Sequence, residues 1–415
     1  MLTNFYTVFT ILIVLTAIFS YINVRFLKLP ATIGVMIISL ICSVILVVTG
    51  QYFPHTMNEM VHAVQAFDFE TVLMRVMLSF LLFAGAIHID VGRLKKEFKP
   101  IATYATIGVL MSTAIIAFIM YFIFQWFGWH VPVIYCLLFG ALISPTDPIA
   151  VLGILKESKI DPSVEIKIAG ESLFNDGVGV VVFGSLASIA IMGTEQASFS
   201  GIGLLFLKEA GGGIAWGLMI GYTGFWLLRS IDHYQVEVLI TIALVMGGYL
   251  MASYMHISGP LAIVVAGIII GNKGQKEAMS DRTKDYLNKF WELIDEILNA
   301  LLFLLVGFEI MVIKFDLTYI GIGLCAIVVV LLARLISVYL PTAFFSFRRS
   351  INPNLVPLLT WGGLRGGISV ALALSLPRSE FREVLISATY IVVVWSIIVQ
   401  GLTIGKLARR LQKSS

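Results

Sequence analysis

Residues 136–155 read CLLFGALISPTDPIAVLGIL, an apolar run whose centre is Pro145-Thr146-Asp147-Pro148. The run has the length of a helix that crosses the hydrocarbon of a membrane. Each proline removes a backbone donor and clashes with the carbonyl of the preceding turn, so we predict that the helix breaks there. An ionised carboxylate at this depth is costly, and such residues mark ion or proton paths. The stretch therefore predicts a broken membrane helix that presents Asp147 to such a path.

The composition of the whole chain indicates an integral membrane protein. Of its 415 residues, 59% are hydrophobic and 13% are charged, and the mean hydropathy is +0.95. These values leave too few polar side chains to solvate a globule of this length. Apolar runs of about 20 residues recur from end to end, which predicts an all-α polytopic protein with about thirteen transmembrane helices. The eighth and ninth meet at Ser258-Gly259-Pro260.

Basic residues concentrate in alternate connections between the predicted helices. Most of the 28 Lys and Arg residues lie in segments such as 93–99, 273–289 and 406–413. Short cytoplasmic loops collect positive charge, so we predict an amino terminus outside and a carboxyl terminus in the cytoplasm, in the cell (inner) membrane. The basic clusters are short, scattered and explained by topology, so no nucleic-acid partner is predicted.

A second interruption lies in the twelfth span, where residues 361–367 read WGGLRGG. Four glycines around Arg365 make a continuous helix costly. Leu81-Leu82-Phe83 in the third span also returns as Leu301-Leu302-Phe303 in the tenth. An odd number of helices separates these copies, which predicts two inverted six-helix repeats. Discontinuous helices at matching positions of inverted repeats point to a transport site.

Residues 168–186, IAGESLFNDGVGVVVFGSL, place polar side chains inside the sixth apolar run. Ser172 and Asp176 are four residues apart and share one helix face, while Glu171 and Asn175 form a neighbouring pair. An ionised Glu171 in hydrocarbon requires a cation, and we expect that pair to be structural. Two arginines in predicted spans are candidates: Arg334 and Arg365.

The broken fifth span offers hard oxygen atoms that suit a small dehydrated cation such as sodium. These are the hydroxyl of Thr146, the carboxylate of Asp147 and the carbonyls freed by the break at residues 141–144. Asp176 and Ser172 of the sixth span can face the same cation.

Acidic residues also lie at both ends of the tenth span. Glu292, Asp295 and Glu296 lie at its start and Glu309 at its end. We expect them to face water near the two membrane surfaces, and a funnel leading to the site is the alternative setting for Asp295 and Glu296.

Four strings carry a family resemblance: SPTDPIAVLGIL at 144–155, GESLFNDGVGVVVF at 170–183, SGPLAIVVAGIIIGN at 258–272 and WGGLRGGISVALAL at 361–374. In order and spacing across nearly the whole chain they resemble the NhaP-like and NHE-like sodium/proton antiporters. The resemblance implies a prokaryotic homodimer of thirteen-helix protomers with crossed, unwound helices.

The resemblance also implies a division of the chain. The exchanger membrane domain is expected over residues 1–408, followed by a short cytoplasmic tail at 409–415. Within the domain, a dimerisation part covers about 1–100 and 201–313, and a transport core covers about 101–192 and 317–407.

The resemblance assigns roles to the polar residues of the broken helices. It implies that Asp176 is the essential ion- and proton-binding carboxylate and that Na⁺ lies at Asp147, Thr146, Ser172 and Asp176. Asn175 takes the place of a second aspartate found in electrogenic relatives, which implies electroneutral exchange of one proton for one sodium ion.

The resemblance also pairs Glu171 with Arg334 and makes Arg365 a second charge-compensating arginine. Many relatives carry a glutamate after LLF in the third span, where this chain has Ala84. A water-mediated ligand from that helix is therefore not expected.

The sequence thus predicts a secondary active antiporter, with no enzymatic activity and no cofactor, that exchanges intracellular Na⁺, and also Li⁺, for H⁺. Protonation of Asp176 removes the charge that binds the cation, so the two ions compete. Its partners are monovalent cations, protons and membrane lipids. A K⁺/H⁺ antiporter of the same fold is the alternative that the residues leave open.

Two different classes are also alternatives. An intramembrane aspartyl protease needs two carboxylates in helices, but Asp147 lies between prolines and Asp176 follows an asparagine. An ion channel would share a polar pore and differ by passive conductance. The chain has no Gly-x4-Gly-Lys-Ser/Thr sequence and its histidines lack metal-ligand spacing, which disfavours an ATP-driven pump and a metal centre.

Overall fold

The computed structural model is nearly all helical and describes residues 5–50, 69–147, 151, 162–192, 199–311, 316–344 and 355–413. In chain order its α-helices are α1 Phe5–Ile22, α2 Ala31–Gly50, α3 Phe69–Val72, α4 Leu78–Ile87, α5 Val91–Thr103, α6 Val109–Trp126, α7 Val133–Ile143, α8 Pro162–Met192, α9 Phe199–Arg229, α10 Tyr234–Tyr254, α11 Gly259–Ile269, α12 Gln275–Glu277, α13 Asp281–Phe308, α14 Leu317–Phe344, α15 Leu355–Trp361, α16 Gly367–Leu374, α17 Arg382–Trp395 and α18 Gly401–Lys413. The predicted all-α class is confirmed.

Several neighbouring helices are joined without a loop by a π-turn. In these turns one extra residue is accommodated, and they recur at functional positions in helices. The π-turns are Asn23–Leu27, Leu73–Met77, Tyr104–Gly108, Ile270–Gly274 and Ser396–Gln400. The last of them connects α17 to α18.

Eight helices in the described ranges are long and apolar enough to cross a membrane. They include the continuous stretch Val91–Trp126 and the helices around α8, α14 and α17. Large apolar side chains such as Phe118, Leu204 and Trp226 remain exposed on the outer surface, as expected where lipid replaces water as the solvent. The polytopic membrane architecture is confirmed, whereas the count of thirteen helices and the inverted repeats stay predictions.

Two helix starts show how local chemistry sets the boundaries. Ser258 caps α11 by accepting a hydrogen bond from the backbone N–H of Leu261, and a proline occupies the first turn, where its missing donor costs nothing. At residues 93–99 we expected a loop, and the structure instead has the first turns of α5. Asp90 accepts from the backbone N–H of Arg93, a contact that holds the pKa of the Asp90 carboxyl below its usual value. Lysine and arginine also favour helix.

Helix α8 crosses the molecule beside the broken helices, and its glycines permit a close approach. A Cβ atom at Gly179 would lie 3.2 Å from Cδ of Pro145, and one at Gly177 would lie 2.9 Å from Cγ of Leu261. Both separations are shorter than ordinary van der Waals contact. Gly179 therefore allows α8 to pack directly against the interruption that follows α7, and Gly177 allows it to pack against α11.

Candidate functional site

The two predicted helix interruptions cross each other. Helix α7 ends at Ile143 and residues 144–147 are not helical, while residues 362–366 separate α15 from α16. The backbone N–H of Asp147 donates to the carbonyl of Leu364 across 2.7 Å, and the two residues form an isolated antiparallel bridge. Both breaks are confirmed, although Pro148 lies outside the described residues.

Arg365 binds the backbone carbonyls that are left without helical partners at the carboxyl end of α7. Its side chain is 1% exposed, and one terminal nitrogen donates to the carbonyl oxygens of Ser144 and Pro145. These carbonyls carry the negative end of the helix dipole, so a cation is favourable beside them. We expected the carbonyl of Ser144 to be available to a transported cation, but the guanidinium of Arg365 already binds it.

Side chains of α8 replace the helical partners that Thr146 lacks. Its backbone N–H donates to Oδ1 of Asn175 across 3.2 Å, and Nδ2 of Asn175 donates to Oγ1 of Thr146 across 2.8 Å. The hydroxyls of Thr146 and Ser172 lie 3.0 Å apart in a further hydrogen bond. All three residues are buried, so this cluster fixes the unwound segment against α8.

A cavity of about 1410 Å³ reaches this crossing point. Thr146, Asp147 and Asp176 line it, whereas Ser172 and Asn175 contact it only through Thr146. Asp176 is 6% exposed. The predicted site residues therefore come together in two layers, three at the cavity wall and two behind it.

The far end of the cavity reaches the surface. Lys28, Asp90 and Arg93 line it there and are exposed. Asp295 and Glu296 of α13 also line the cavity, so the funnel setting is the correct one for these two acids. Glu309 does not face water as expected, since it is only 6% exposed in the 3₁₀ turn after α13.

Gly366 makes room for Asp147. A Cβ atom at position 366 would lie 2.7 Å from Cβ of Asp147 and closer still to its carboxylate. Any larger side chain must therefore displace either the carboxylate or the crossing segment. Ala84, where many relatives carry glutamate, lines the same cavity and is buried.

Glu171 pairs with Arg334 and not with Arg365. The two terminal nitrogens of Arg334 donate to the two carboxylate oxygens of Glu171, with 2.9 Å between Nη2 and Oε2. Nε of Arg334 donates to the carbonyl of Leu359 across 3.1 Å. This bidentate pair links α8, α14 and α15 around the crossing point.

Ser396 and Gln400 of the last π-turn were not predicted as site residues. Ser396 contacts Arg365 in the unwound segment, and Gln400 contacts Trp361 at the end of α15. Their signal was two polar residues four apart inside an apolar run. Within the described ranges, no group of three His, Cys, Asp or Glu side chains is placed to hold a metal ion.

Interrupted helices that cross beside buried carboxylates at the end of an open cavity define an ion-coupled secondary transporter. Comparison with known proteins gives the family. Residues 11–410 match the model of the sodium/hydrogen exchanger transmembrane family, and the chain belongs to that family. Its members are Na⁺/H⁺ antiporters, which are secondary transporters and not enzymes.

Two relatives and one solved structure match over most of their length. The chain is 48% identical over 404 residues to the Na(+)/H(+) antiporter NhaP of Pseudomonas aeruginosa, covering 96% of this chain and 95% of that protein. It is 37% identical over 347 residues to the Na(+)/H(+) antiporter NhaH of Halobacillus dabanensis, covering 83% and 84%. The solved structure of the sodium proton antiporter MjNhaP1 from Methanocaldococcus jannaschii superposes with a TM-score of 0.76 at 21% identity, covering 97% of each chain. This last match shows the fold.

Proposed function

We propose that this protein exchanges one Na⁺ for one H⁺ by competition at Asp176. The observation that carries the proposal is the position of this carboxylate, which is buried on α8 at the wall of an open cavity beside Thr146 and Asp147. Carboxylate and hydroxyl oxygens suit a small hard cation. Ser172 and Asn175 support the site through Thr146, and the Ser172 hydroxyl is proposed as a further ligand because hydroxyl oxygens suit such a cation.

The charges around the crossing point support a ratio of one to one. Glu171 and Arg334 cancel as an ion pair, and Arg365 and Asp147 carry opposite charges on the two crossing segments. Among the described residues at the crossing point, Asp176 is then the remaining negative charge. One monovalent cation or one proton neutralises it, so both loaded forms are neutral and the empty form is negative.

This charge balance explains why sodium and proton transport are coupled and why neither ion crosses alone. Protonation of Asp176 removes the charge that binds the cation, so sodium and proton exclude each other. A negative empty site is costly in hydrocarbon, which opposes return of the unloaded transporter. Li⁺ carries the same charge and is proposed as a second substrate.

The direction follows from the predicted topology. Lys28 and Arg93 at the open end of the cavity belong to segments predicted to be cytoplasmic. On this basis the site faces the cytoplasm in this conformation and takes up intracellular Na⁺. We place the protein in the cell (inner) membrane with its amino terminus outside and its carboxyl terminus inside.

We further propose a homodimer with the dimerisation part at about 1–100 and 201–313 and the transport core at about 101–192 and 317–407. The cavity supports this division because its walls come from both parts: α2 and α13 on one side, α8 and α16 on the other. Native mass spectrometry of the protein in lipid nanodiscs tests the dimer, and a monomer at all concentrations would contradict it.

The transport assay uses proteoliposomes that contain a pH-sensitive dye. Na⁺ or Li⁺ added outside should alkalinise the lumen, because each cation that enters releases one proton. The rate should saturate with cation concentration and should be the same with and without a K⁺/valinomycin clamp. K⁺ pulses without the ionophore test the selectivity. A rate that follows the imposed potential would contradict one-to-one exchange, and a non-saturating conductance would indicate a channel.

The residue assignment is tested by Asp176→Asn, which should abolish sodium-driven proton flux. Glu237→Gln is a matched control, because Glu237 is a fully buried acid on α10 outside the cavity lining. Its Oε1 accepts bonds from His233 and Thr283 that glutamine can keep. Flux that survives in Asp176→Asn, or that is lost equally in the control, would overturn the assignment.

A further inference from the structure

A polar pair lies on the last helix behind the crossing point. Ser396 and Gln400 are the first and last residues of the π-turn between α17 and α18. Their side chains are 1% and 2% exposed. Polar groups buried in a membrane protein are costly unless they are hydrogen-bonded, so their partners indicate why they are there.

These partners are the two ends of the unwound segment. The backbone N–H of Arg365 donates to Oγ of Ser396 across 3.0 Å, and that hydroxyl donates to Oε1 of Gln400 across 2.6 Å. The amide of Gln400 in turn donates from Nε2 to the carbonyl of Trp361 across 2.9 Å. The pair thus supplies an acceptor and a donor that a continuous helix would have provided.

The same segment, residues 362–366, also contacts the proposed ion-site residue Asp147. Leu364, next to Arg365, accepts the bond from the backbone N–H of Asp147. Gly366 lies directly against the Asp147 carboxylate. A shift of residues 362–366 must therefore move Asp147 at the cavity wall.

We propose that Ser396 and Gln400 are positioning residues for the cation site. They set the sodium affinity through residues 362–366 and Asp147 without contacting the ion. This inference rests on the proposed sodium/proton exchange for its transport readout, while its structural readout is independent of it.

The variants are Ser396→Ala and Gln400→Leu, with Ser396→Thr as the conservative variant that keeps the hydroxyl. Thr389→Val is the matched control. Thr389 is a fully buried hydroxyl on α17 that donates only to the carbonyl of Leu385 in its own helix. Thr389→Val removes a buried hydroxyl and its hydrogen bond within α17, without touching the unwound segment.

The first readout is hydrogen–deuterium exchange of the Arg365 amide in the full-length protein. Ser396→Ala should accelerate it about tenfold, the factor that corresponds to about 1.4 kcal/mol. The second readout is the KM for Na⁺ in proteoliposomes, which should rise about tenfold in Ser396→Ala and Gln400→Leu while Vmax stays within about twofold. Ser396→Thr should restore both values, and Thr389→Val should change neither.

The double variant Ser396→Ala/Gln400→Leu should have a KM for Na⁺ no higher than that of the more impaired single variant, because both side chains belong to one chain of hydrogen bonds. Unchanged exchange at Arg365, a loss confined to Vmax, or an equal effect of Thr389→Val would each overturn the proposal. Failure of the proposed function would give a different result, because the wild-type protein itself would then lack sodium-driven proton flux. The hydrogen–deuterium exchange rate of the Arg365 amide would still test the positioning role.

Discussion

Replacing Glu171 with glutamine should destabilise the protein strongly, because the charged guanidinium of Arg334 would stay buried without a counter-charge. The two side chains are 1% and 7% exposed. The native pair is bidentate, and a third donor of Arg334 binds the carbonyl of Leu359. Removing one partner of such a pair costs about 3–5 kcal/mol, which is a large part of a typical stability of about 5–15 kcal/mol.

The Glu171→Gln/Arg334→Met double variant removes both charges and should recover most of the loss, since an apolar replacement of a buried pair is often neutral. Unfolding free energies are measured by denaturant titration in one detergent. Asp285→Asn is the control: it breaks the exposed pair with Lys289 and should leave the unfolding free energy nearly unchanged, because exposed ion pairs contribute little to stability. A loss below about 1 kcal/mol in Glu171→Gln, or a double variant no more stable than the single one, would refute the reasoning.

Three further predictions concern the crossing point. Asn175→Asp adds a negative charge, so sodium-driven flux should become dependent on an imposed membrane potential; potential-independent flux would show that this position does not set the charge balance. Gly366→Ala should lower the flux at least about tenfold by displacing Asp147, whereas Gly184→Ala, where an added Cβ meets nothing within 4 Å, should not; equal rates would contradict the steric argument. Thr146→Val should raise the KM for Na⁺ about tenfold and Thr146→Ser should not, and identical KM values would exclude a role for the hydroxyl.

Several features were predictable because they depend on local chemistry. Apolar runs of membrane length predicted the all-α polytopic class. Pro145 and the glycines of residues 361–367 predicted both helix interruptions, since missing donors and backbone freedom act within one or two turns. The four-residue spacing of Ser172 and Asp176 placed both on α8. The count of thirteen helices, the inverted repeats and the domain division remain predictions.

Other features depended on how distant helices pack. From the sequence, two arginines were candidates for the ion pair with Glu171, and the position of α14 brings Arg334 to it. The break after α7 predicted that the carbonyl of Ser144 would be free to bind a cation, but the segment after α15 brings the guanidinium of Arg365 to it. Glu309 was expected at a water-facing helix end and is buried instead.

The amino-acid sequence by itself determined that two helices must break in the membrane and that a charged residue lies at each break, Asp147 at one and Arg365 at the other, because prolines, glycines and buried charge act on their immediate surroundings. Only the tertiary structure decided that the two breaks cross at Asp147 and Leu364, and that Ser396 and Gln400 hold the crossing segment. Contacts between residues far apart in the chain depend on the packing of whole helices, which apolar periodicity does not specify.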